Sequence, residues 1–241
     1  MVEMRVAAVF GAGGGIGHAV VEHLAASGRY ARIHAGSRRP CVGFGATVSP
    51  FTFDLTDENS IADAAASIEH APELVLLTTG ILHDPVRNIF PEKTFRSLDA
   101  ASMAGVFAIN TTGPALIAKH VLPRLPRDRR SVFAVLSARV GSIGDNRLGG
   151  WHAYRASKAA LDMLVVNFAI EMRRTHPEAI VVALHPGTVG TALSAPFQGA
   201  VPAGKLFSPA TSAENLLRVI ETLTTADSGR LIAWNGERLP W

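Results

Sequence analysis

The sequence predicts an α/β fold: one doubly wound domain on a mostly parallel seven-stranded sheet, with helices on both faces. Short apolar runs alternate along the chain with longer segments of helical periodicity, which is the pattern of parallel strands buried on both faces. Hydrophobic residues make up 48% and charged residues 18% of the 241 residues, a composition that excludes a disordered chain. No linker or shift in composition divides residues 1–241, so we expect a single domain.

The first half of the chain alternates four strands with two helices. The predicted strands are the apolar runs Arg5–Phe10, Arg32–Ala35, Val48–Phe53 and Leu74–Thr78. A helix is predicted over Ile16–Ser27, where apolar residues recur every four positions and Gly28 follows as a stop signal. A second helix is predicted over Asp57–Glu69, which is rich in alanine and has an acidic first turn.

The second half contains three more strands and three helices. The strands are Val132–Leu136, Ile180–Leu184 and Leu231–Trp234, and the helices are Leu98–His120, Trp151–Arg174 and Ser212–Thr224. Gly113–Pro114 should bend the first of these helices. The irregular segment Pro186–Pro209 is long for a compact domain, so we expect a substrate loop there.

Composition and spacing argue against several partners. The lone Cys41 permits no internal disulfide and no thiolate metal cage, and a reducing cytoplasm is the simplest compartment. The nine histidines lack metal-ligand spacing, so we expect no metal site. The net charge is +3 and the basic cluster at 124–130 is typical of a solvated loop, so we expect no nucleic-acid partner. Apolar runs are broken before a membrane-spanning length, and Met1–Arg5 does not have the pattern of a signal peptide.

A glycine-rich loop follows the first predicted strand and precedes a helix. Its residues with a predicted cofactor role are Gly11, Gly13, Gly14, Gly15, Ile16 and Gly17. Glycines let the backbone approach a pyrophosphate, and the helix N-terminus offers free N–H groups and the positive end of its dipole. This arrangement indicates a dinucleotide site.

The end of the second strand predicts which dinucleotide binds. Ser37, Arg38 and Arg39 stand there and no carboxylate is present, so a 2′-phosphate is favoured over a free ribose hydroxyl. This predicts NADP as the cofactor. NAD stays possible, because the glycine loop has no basic residue and the two arginines are also compatible with an ordinary exposed surface.

Tyr154 and Lys158 are spaced i and i+4 at the start of the long helix, so they share one helical face. A phenol is a poor base at neutral pH, and a fixed ammonium nearby favours the phenolate and lowers the phenol pKa. Lys158 can also hold the nicotinamide ribose. Tyr154 is then placed to pass a proton to a carbonyl oxygen as hydride leaves the cofactor.

The glycine spacing G-x-x-x-G-x-G followed by Tyr-x-x-x-Lys resembles the short-chain dehydrogenase/reductase family over Arg5–Trp241. Within it the chain is most similar to the C-factor-like and sniffer-like carbonyl reductases, on the segments 141–146, 149–151, 154–161 and 236–241. The resemblance implies a Rossmann domain and NADP(H)-dependent hydride transfer to or from a ketone or aldehyde. It does not name the substrate.

The resemblance also implies roles for residues that spacing alone does not single out. Asn110, in Asn-x-x-Gly, positions a water behind the lysine. Further cofactor contacts are expected from Asp54, Leu55, Thr78, Thr79, Gly80, Pro186, Gly187, Val189 and Thr191. Asp54 is expected to accept from the adenine amino group, and Thr56 is better placed than Asp54 to cap the following helix. Thr78 stands where the family has a bracing asparagine.

The catalytic hydroxyl is ambiguous. Ala138 occupies the place of the family's second serine, Ser137 holds the first, and Ser142 follows Gly141. A hydroxyl near the carbonyl stabilises the developing oxyanion. We expect Ser137 to serve, because it ends a strand where doubly wound sheets bind ligands, and Ser142 is the alternative.

Partner and function alternatives follow from the same comparison. The resemblance implies a homodimer or homotetramer, in which the long helix packs across a two-fold axis. The loop residues Ala192, Leu193, Ala195, Pro196, Phe197 and Val201 predict an apolar small-molecule carbonyl or alcohol substrate. A non-enzymatic nucleotide-sensing or signalling protein on the same fold is the alternative, and a sugar-nucleotide epimerase is a weaker one.

Overall fold

A computed structural model describes residues 5–200, 202 and 204–241. Two predictions fall outside the described residues. They are the absence of a signal peptide, as far as it concerns residues 1–4, and the place of Val201 in the substrate loop. The strands are β1 (Val6–Phe10), β2 (Arg32–Ser37), β3 (Val48–Thr52), β4 (Leu74–Leu77), β5 (Ser131–Leu136), β6 (Ala179–His185), β7 (Thr188–Val189), β8 (Leu206–Phe207), β9 (Leu231–Ala233) and β10 (Arg238–Leu239).

Eight of these strands form one sheet in the order β10-β9-β6-β5-β4-β1-β2-β3. The pairs from β3 to β9 are parallel, and β10 pairs antiparallel with β9. All seven predicted strands are therefore confirmed as the parallel part of the sheet. The antiparallel edge strand β10 was not predicted, because its two residues are too few to show a period.

Helices cover both faces of this sheet. They are α1 (Gly15–Ser27), α2 (Glu58–Ser67), α3 (Ala100–Phe107), α4 (Gly113–Val121), α5 (His152–Thr175) and α6 (Pro209–Thr222). On one face, α1 and α6 bury Val20 and Leu216 against the strands. On the other, α2, α4 and α5 bury Ile61, Ile117 and Leu161. The doubly wound architecture predicted from the strand–helix alternation is confirmed.

The helix predicted over Leu98–His120 is divided in the structure. A π-helical turn, Ala108–Thr112, lies between α3 and α4, so the irregularity comes before Gly113–Pro114 and not within it. Pro114 lacks an N–H, so it cannot donate to the carbonyl four residues earlier, at Asn110. This missing bond explains why the wider turn includes Asn110, and π turns of this kind often occur at functional sites.

One helical stretch among the described residues, Ala100–Arg124, is apolar and long enough to cross a membrane by those two criteria alone. A core helix of a globular domain meets the same criteria. Ile117, Ala118 and Val121 in this stretch are buried in the apolar core on the face of the sheet that α2, α4 and α5 cover. The absence of a membrane partner stays a prediction.

The predicted substrate loop contains some regular structure. The two-residue strands β7 and β8 pair in parallel inside Pro186–Pro209, and a short 3-10 helix, Ala195–Ala200, lies between them. β7 follows directly after the C-terminal end of β6, so the segment lies at the edge of the sheet where doubly wound folds bind ligands.

Candidate active site

The glycine loop lies at the C-terminal end of β1, folded tightly against β4. Gly11 has a φ of 104°, and a Cβ added there would lie 2.5 Å from Thr78 Oγ1. A Cβ on Gly17 would lie 2.2 Å from the carbonyl oxygen of Gly11. Both positions therefore require glycine, because any side chain would strike the neighbouring chain.

The start of α1 is open for an anion. Its N-cap residue, Gly14, makes no side-chain cap hydrogen bond, and Gly13, Gly14 and Gly15 are exposed. The N–H groups of this first turn and the positive end of the helix dipole thus face outward. A Cβ on Gly15 would lie 3.1 Å from Thr191 Cγ2, so the segment after β6 borders the same opening.

The predicted 2′-phosphate residues lie beside this loop. The backbone N–H groups of Gly11 and Ala12 both donate to Gly36 O at 2.8 Å, which joins the loop to the end of β2. Ser37 is buried, and its hydroxyl donates to Arg39 O and lies 3.1 Å from Cys41 Sγ. Arg38 and Arg39 are exposed. The structure brings all three to the edge of the glycine loop.

Asp54 and Leu55 follow β3 in the adjoining loop. Asp54 Oδ1 accepts hydrogen bonds from the N–H and hydroxyl of Thr56, at 2.8 and 2.7 Å, and these bonds lower the pKa of the carboxyl. The expectation that Thr56 caps α2 is wrong. Asp57 is the cap, because its carboxylate reaches the N–H groups of Asn59 and Ser60.

Thr78, Thr79 and Gly80 follow β4 under the glycine loop. Thr78 donates to Phe10 O through its N–H at 2.8 Å and its hydroxyl at 3.2 Å, so it ties β4 to β1. The Thr79 hydroxyl oxygen is buried and makes no hydrogen bond. A Cβ on Gly80 would lie 3.5 Å from both Asn110 Oδ1 and Lys158 Nζ. Gly80 therefore lies beside two predicted catalytic residues.

Asn110 is fully buried in the π turn and is held from three directions. Its Oδ1 accepts from Ile81 N, and its Nδ2 donates to Ile81 O, both at 2.8 Å. Nδ2 also donates to Ser157 Oγ at 3.1 Å, one residue before the lysine. Asn110 thus joins the loop after β4 to the first turns of α5.

Tyr154 and Lys158 lie on one face of α5, as predicted, with Lys158 Nζ 5.9 Å from the centre of the tyrosine ring. Burial raises the pKa of Tyr154 to about 12. The predicted lowering of this pKa by the lysine is therefore not what the structure shows. Lys158 Nζ donates instead to Leu136 O at 2.8 Å, and burial lowers the pKa of Lys158 to about 8.

Comparison with known proteins gives the family. The family profile described as short chain dehydrogenase matches residues 5–200. The chain belongs to the short chain dehydrogenase family. The predicted resemblance is thereby confirmed, and Tyr154 and Lys158 both lie within the matched residues.

Three relatives within the short chain dehydrogenase family are informative. A 1-hydroxy-2-glutathionyl-2-methyl-3-butene dehydrogenase from Rhodococcus sp. (strain AD45) is 31% identical over 99% of this chain and 100% of its own. The C-signal protein of Myxococcus xanthus is 38% identical over 60% of this chain and 81% of its own. The crystal structure of an NADPH-bound carbonyl reductase from chicken fatty liver has a TM-score of 0.84 and 27% identity, and covers 100% of both chains.

The residues present fit the dinucleotide that the short chain dehydrogenase fold implies. The exposed glycines and free N–H groups at the start of α1 suit a pyrophosphate. The bare Gly80 leaves an approach to Asn110 and Lys158 that a longer side chain would fill. We predict that Lys158 holds the ribose of a bound nicotinamide.

The two candidate serines differ in their surroundings. Ser137 is buried, and its Oγ makes no hydrogen bond. Ser142 is also buried, and its Oγ accepts from Asp145 N at 3.1 Å. Gly141 packs against α5, where an added Cβ would lie 2.7 Å from Lys158 Cβ. Both serines therefore lie in the segment that runs past Lys158, the predicted catalytic lysine.

The segment after β6 includes Pro186, Gly187, Val189 and Thr191. Pro186 O accepts from Ser212 Oγ of α6 at 3.1 Å, and Thr191 N donates to Val189 O at 2.9 Å. Gly187 has a φ of 79°, and a Cβ added there would lie 2.7 Å from Cε2 of the Phe207 ring. A cavity of about 300 Å³ adjoins it, lined by both aromatic and charged residues, among them Trp234 and Arg139.

Sequence reasoning named Phe197 as a substrate-loop residue, but it missed three residues near the predicted site: His83, Trp151 and Asp162. Trp151 lies with its ring centre 6.3 Å from that of Tyr154 and 5.2 Å from that of Phe197, and His83 lies 5.7 Å from Phe197. These rings form an aromatic wall, defined as His83, Trp151 and Phe197. Asp162, one turn beyond Lys158, is buried as well. Single rings and single carboxylates have no spacing signal, so only the fold could reveal them.

Proposed function

We propose that the protein is an NADP(H)-dependent oxidoreductase that transfers hydride between the nicotinamide and a ketone or aldehyde of apolar character. The observation that carries this proposal is the meeting of Tyr154, Lys158 and Asn110 beside the bare Gly80. Three elements supply these groups: α5, the π turn and the loop after β4. The three groups meet at the edge of the sheet where doubly wound folds bind ligands.

NADP is the preferred cofactor in this proposal. The chicken carbonyl reductase, which covers this whole chain, has NADPH bound. In this chain, Arg38 and Arg39 are exposed beside the glycine loop, where a guanidinium can make paired hydrogen bonds to a 2′-phosphate. The cofactor supplies the hydride.

The side chains divide the remaining work. With a pKa of about 12, the Tyr154 hydroxyl is protonated at neutral pH, which suits a general acid that donates to the carbonyl oxygen. Lys158 holds the nicotinamide ribose and supplies positive charge near the tyrosine. Asn110, fixed by Ile81 and Ser157, fixes the loop that carries Gly80. Ser137 or Ser142 supplies the hydroxyl that stabilises the developing oxyanion.

An apolar substrate is supported by the aromatic wall. Trp151 and Phe197 stand next to Tyr154, so a group attached to the reacting carbonyl meets rings rather than charges. Phe197 belongs to the 3-10 helix of the predicted substrate loop. Aromatic walls with few polar groups are typical of small-molecule sites.

The decisive experiment is NADPH consumption with a panel of ketones and aldehydes that differ in size and polarity. We expect turnover with aromatic or aliphatic carbonyls, and none in a matched Tyr154→Phe preparation. Absence of turnover with every carbonyl, in protein that still binds NADPH, would instead support a nucleotide-binding signalling protein. That second function is favoured by the similarity to the C-signal protein and by Ala138 in place of a serine.

We also propose that the protein is a cytoplasmic homo-oligomer that binds neither nucleic acid nor membrane. Oligomerisation is supported by α5, on which Met163 and Ile170 are exposed. The single Cys41 is compatible with a reducing compartment.

A further inference from the structure

A second buried ionisable group lies next to the catalytic lysine. Tyr154, Lys158 and Asp162 are spaced four residues apart on α5, so they form one stripe along the helix. Lys158 and Asp162 are each only 3% exposed. Burial of a charged group is costly, so a carboxyl at this position needs a reason.

The packing around Asp162 supplies no structural reason. Neither of its carboxyl oxygens makes a well-formed hydrogen bond; the Ser137 hydroxyl, one residue after β5, is near enough to favour the charged carboxyl but also lacks a well-formed partner. Asp162 is flanked on α5 by Leu161 and Val165 of the apolar core. An apolar residue there would avoid the cost of burial, whereas buried polar groups that serve structure are normally hydrogen-bonded.

The groups that act on the carboxyl belong to the active site. Among the described residues they are Lys158, on the same helix, and Ser137, at the end of β5. Lys158 Nζ donates to the carbonyl of Leu136, the residue before Ser137. The Lys158 ammonium, the Ser137 hydroxyl and the Asp162 carboxyl therefore lie close together at the C-terminal end of β5.

We propose that Asp162 is a positioning residue, whose buried carboxylate is the counter-charge that keeps Lys158 protonated and thereby sets the pH range in which Tyr154 works. The part concerning Tyr154 rests on the proposed function. The part concerning Lys158 does not.

The direction of the effect follows from the charges. Burial lowers the pKa of Lys158 to about 8, and Asp162 acts against this lowering. Burial raises the pKa of Asp162 to about 7, while Ser137 and Lys158 favour its charged form. Removing the carboxylate therefore lowers the pKa of Lys158 further. The ammonium is then lost at a lower pH, and the alkaline limit of carbonyl reduction falls with it.

Lysine-selective labelling with ¹³C and NMR titration of the full chain tests this directly. The lysines are Lys93, Lys119, Lys158 and Lys205, so the spectrum is sparse, and Lys158→Arg identifies the signal of interest. In Asp162→Asn we expect the pKa of Lys158 to fall by about one unit or more, as for the loss of an opposite charge within ~4–6 Å. Glu171→Gln, an exposed carboxylate on the same helix, should leave it in place.

Ser137→Ala is the second variant, and it decides the question if Asp162→Asn does not fold. Without the serine hydroxyl, Asp162 is protonated more readily, so the pKa of Lys158 should fall in the same direction by a smaller amount. A Lys158 titration that matches the wild type in the folded Asp162→Asn protein overturns the proposal. If only Ser137→Ala folds, an unchanged titration in that variant does so.

The activity measurement links the titration to catalysis. In Asp162→Asn the alkaline limb of kcat against pH should move to lower pH together with the lysine titration. A shifted titration with an unmoved limb overturns the link to Tyr154. The titration needs no turnover, so a protein inactive toward every carbonyl would refute the proposed function and still leave the charge pair measurable.

Discussion

Glu92 Oε2 accepts a hydrogen bond from the backbone N–H of Ala153 at 3.2 Å, and so caps the helix that carries Tyr154. The residue at the N-cap position, Trp151, has a φ of 50° and makes no side-chain cap. Its backbone N–H donates to Glu92 O at 2.6 Å. Glu92, in the loop between β4 and α3, thus accepts two backbone hydrogen bonds at the start of α5. These contacts hold the first turn of α5, on which Tyr154 lies.

Replacement of Glu92 should weaken both the fold and the reaction. We expect Glu92→Ala to lower the free energy of unfolding by about 0.5–2 kcal/mol, the usual value of a lost N-cap, and to lower kcat because the first turn of α5 loosens. Glu92→Gln keeps an acceptor oxygen and should lose less. Urea unfolding and NADPH turnover measure the two effects. Glu214→Ala, at an exposed site on α6, is the control. Glu92→Ala with wild-type stability would refute the capping role.

Tyr154→Phe should abolish turnover while leaving NADPH binding nearly unchanged. The substitution keeps the ring and its contact with Trp151 but removes the proton that the reaction needs. The chain has two tyrosines, so Tyr30→Phe is a matched control. The Arg5 guanidinium carbon lies 5.0 Å from the centre of the Tyr30 ring. Steady-state rates and fluorescence titration with NADPH measure the two quantities. Residual turnover within tenfold of wild type would exclude Tyr154 as the proton donor.

The elements that could be predicted are those with local signals. The strands of the parallel sheet are apolar runs, and the glycine loop and the Tyr–Lys pair have fixed spacing. Each can therefore be recognised from its own segment of the sequence. The predicted bend of the helix containing Asn110 was displaced to the π turn, because the missing N–H of Pro114 acts on the turn before it.

The residues that could not be predicted are those that act across the fold. Glu92 caps a helix 61 residues later in the chain, and no pattern in the sequence connects the two positions. Asp162 reads as a polar residue on a helix surface until the structure buries it against Ser137. The predicted lowering of the Tyr154 pKa was wrong for the same reason. Burial of the phenol raises its pKa, and the extent of burial cannot be deduced from spacing.

NADPH should bind more tightly than NADH. Arg38 and Arg39 stand beside the glycine loop with no carboxylate at the end of β2, so the 2′-phosphate gains charge-assisted hydrogen bonds. Such bonds contribute about 1.5–3 kcal/mol, so Arg38→Ala should weaken NADPH roughly tenfold or more and leave NADH almost unaffected. Dissociation constants for both nucleotides test this, with the exposed Arg173→Ala as control. Equal wild-type affinities would remove the claim.

A homo-oligomer is expected from the exposed apolar residues of α5. Met163 is 61% exposed and Ile170 is 46% exposed, and their spacing of seven places both on one face. A second copy packed on this face would cover them, and two-fold dimers are the commonest assembly. Light scattering at micromolar protein should give at least twice the 25.5 kDa of the chain. Met163→Glu should shift the mass toward the monomer, whereas Glu171→Gln should not. A monomeric wild type would contradict this prediction.

The last prediction concerns the catalytic hydroxyl, for which Ser137 and Ser142 compete. Ser142 Oγ already accepts from Asp145 N and lies beyond Gly141, so it serves its own turn. Ser137 directly follows β5 and its oxygen makes no well-formed hydrogen bond, so the hydroxyl can turn from Asp162 to donate once a substrate is bound. Ser137→Ala should therefore lower kcat by roughly 10²-fold or more, the usual loss for one oxyanion donor. Ser142→Ala should cost much less.

Ala138→Ser separates the remaining possibilities, because it restores a hydroxyl at the position where the family has its second serine. If Ser137 already supplies the donor, the added hydroxyl should leave kcat unchanged or lower it, since it only crowds the site. In the Ser137→Ala background the same change should recover part of the lost rate. A large gain from Ala138→Ser alone would show that Ser137 does not reach the carbonyl. Its hydroxyl would then act on Asp162, and Ser142 would be the remaining candidate for the serine donor in the natural sequence.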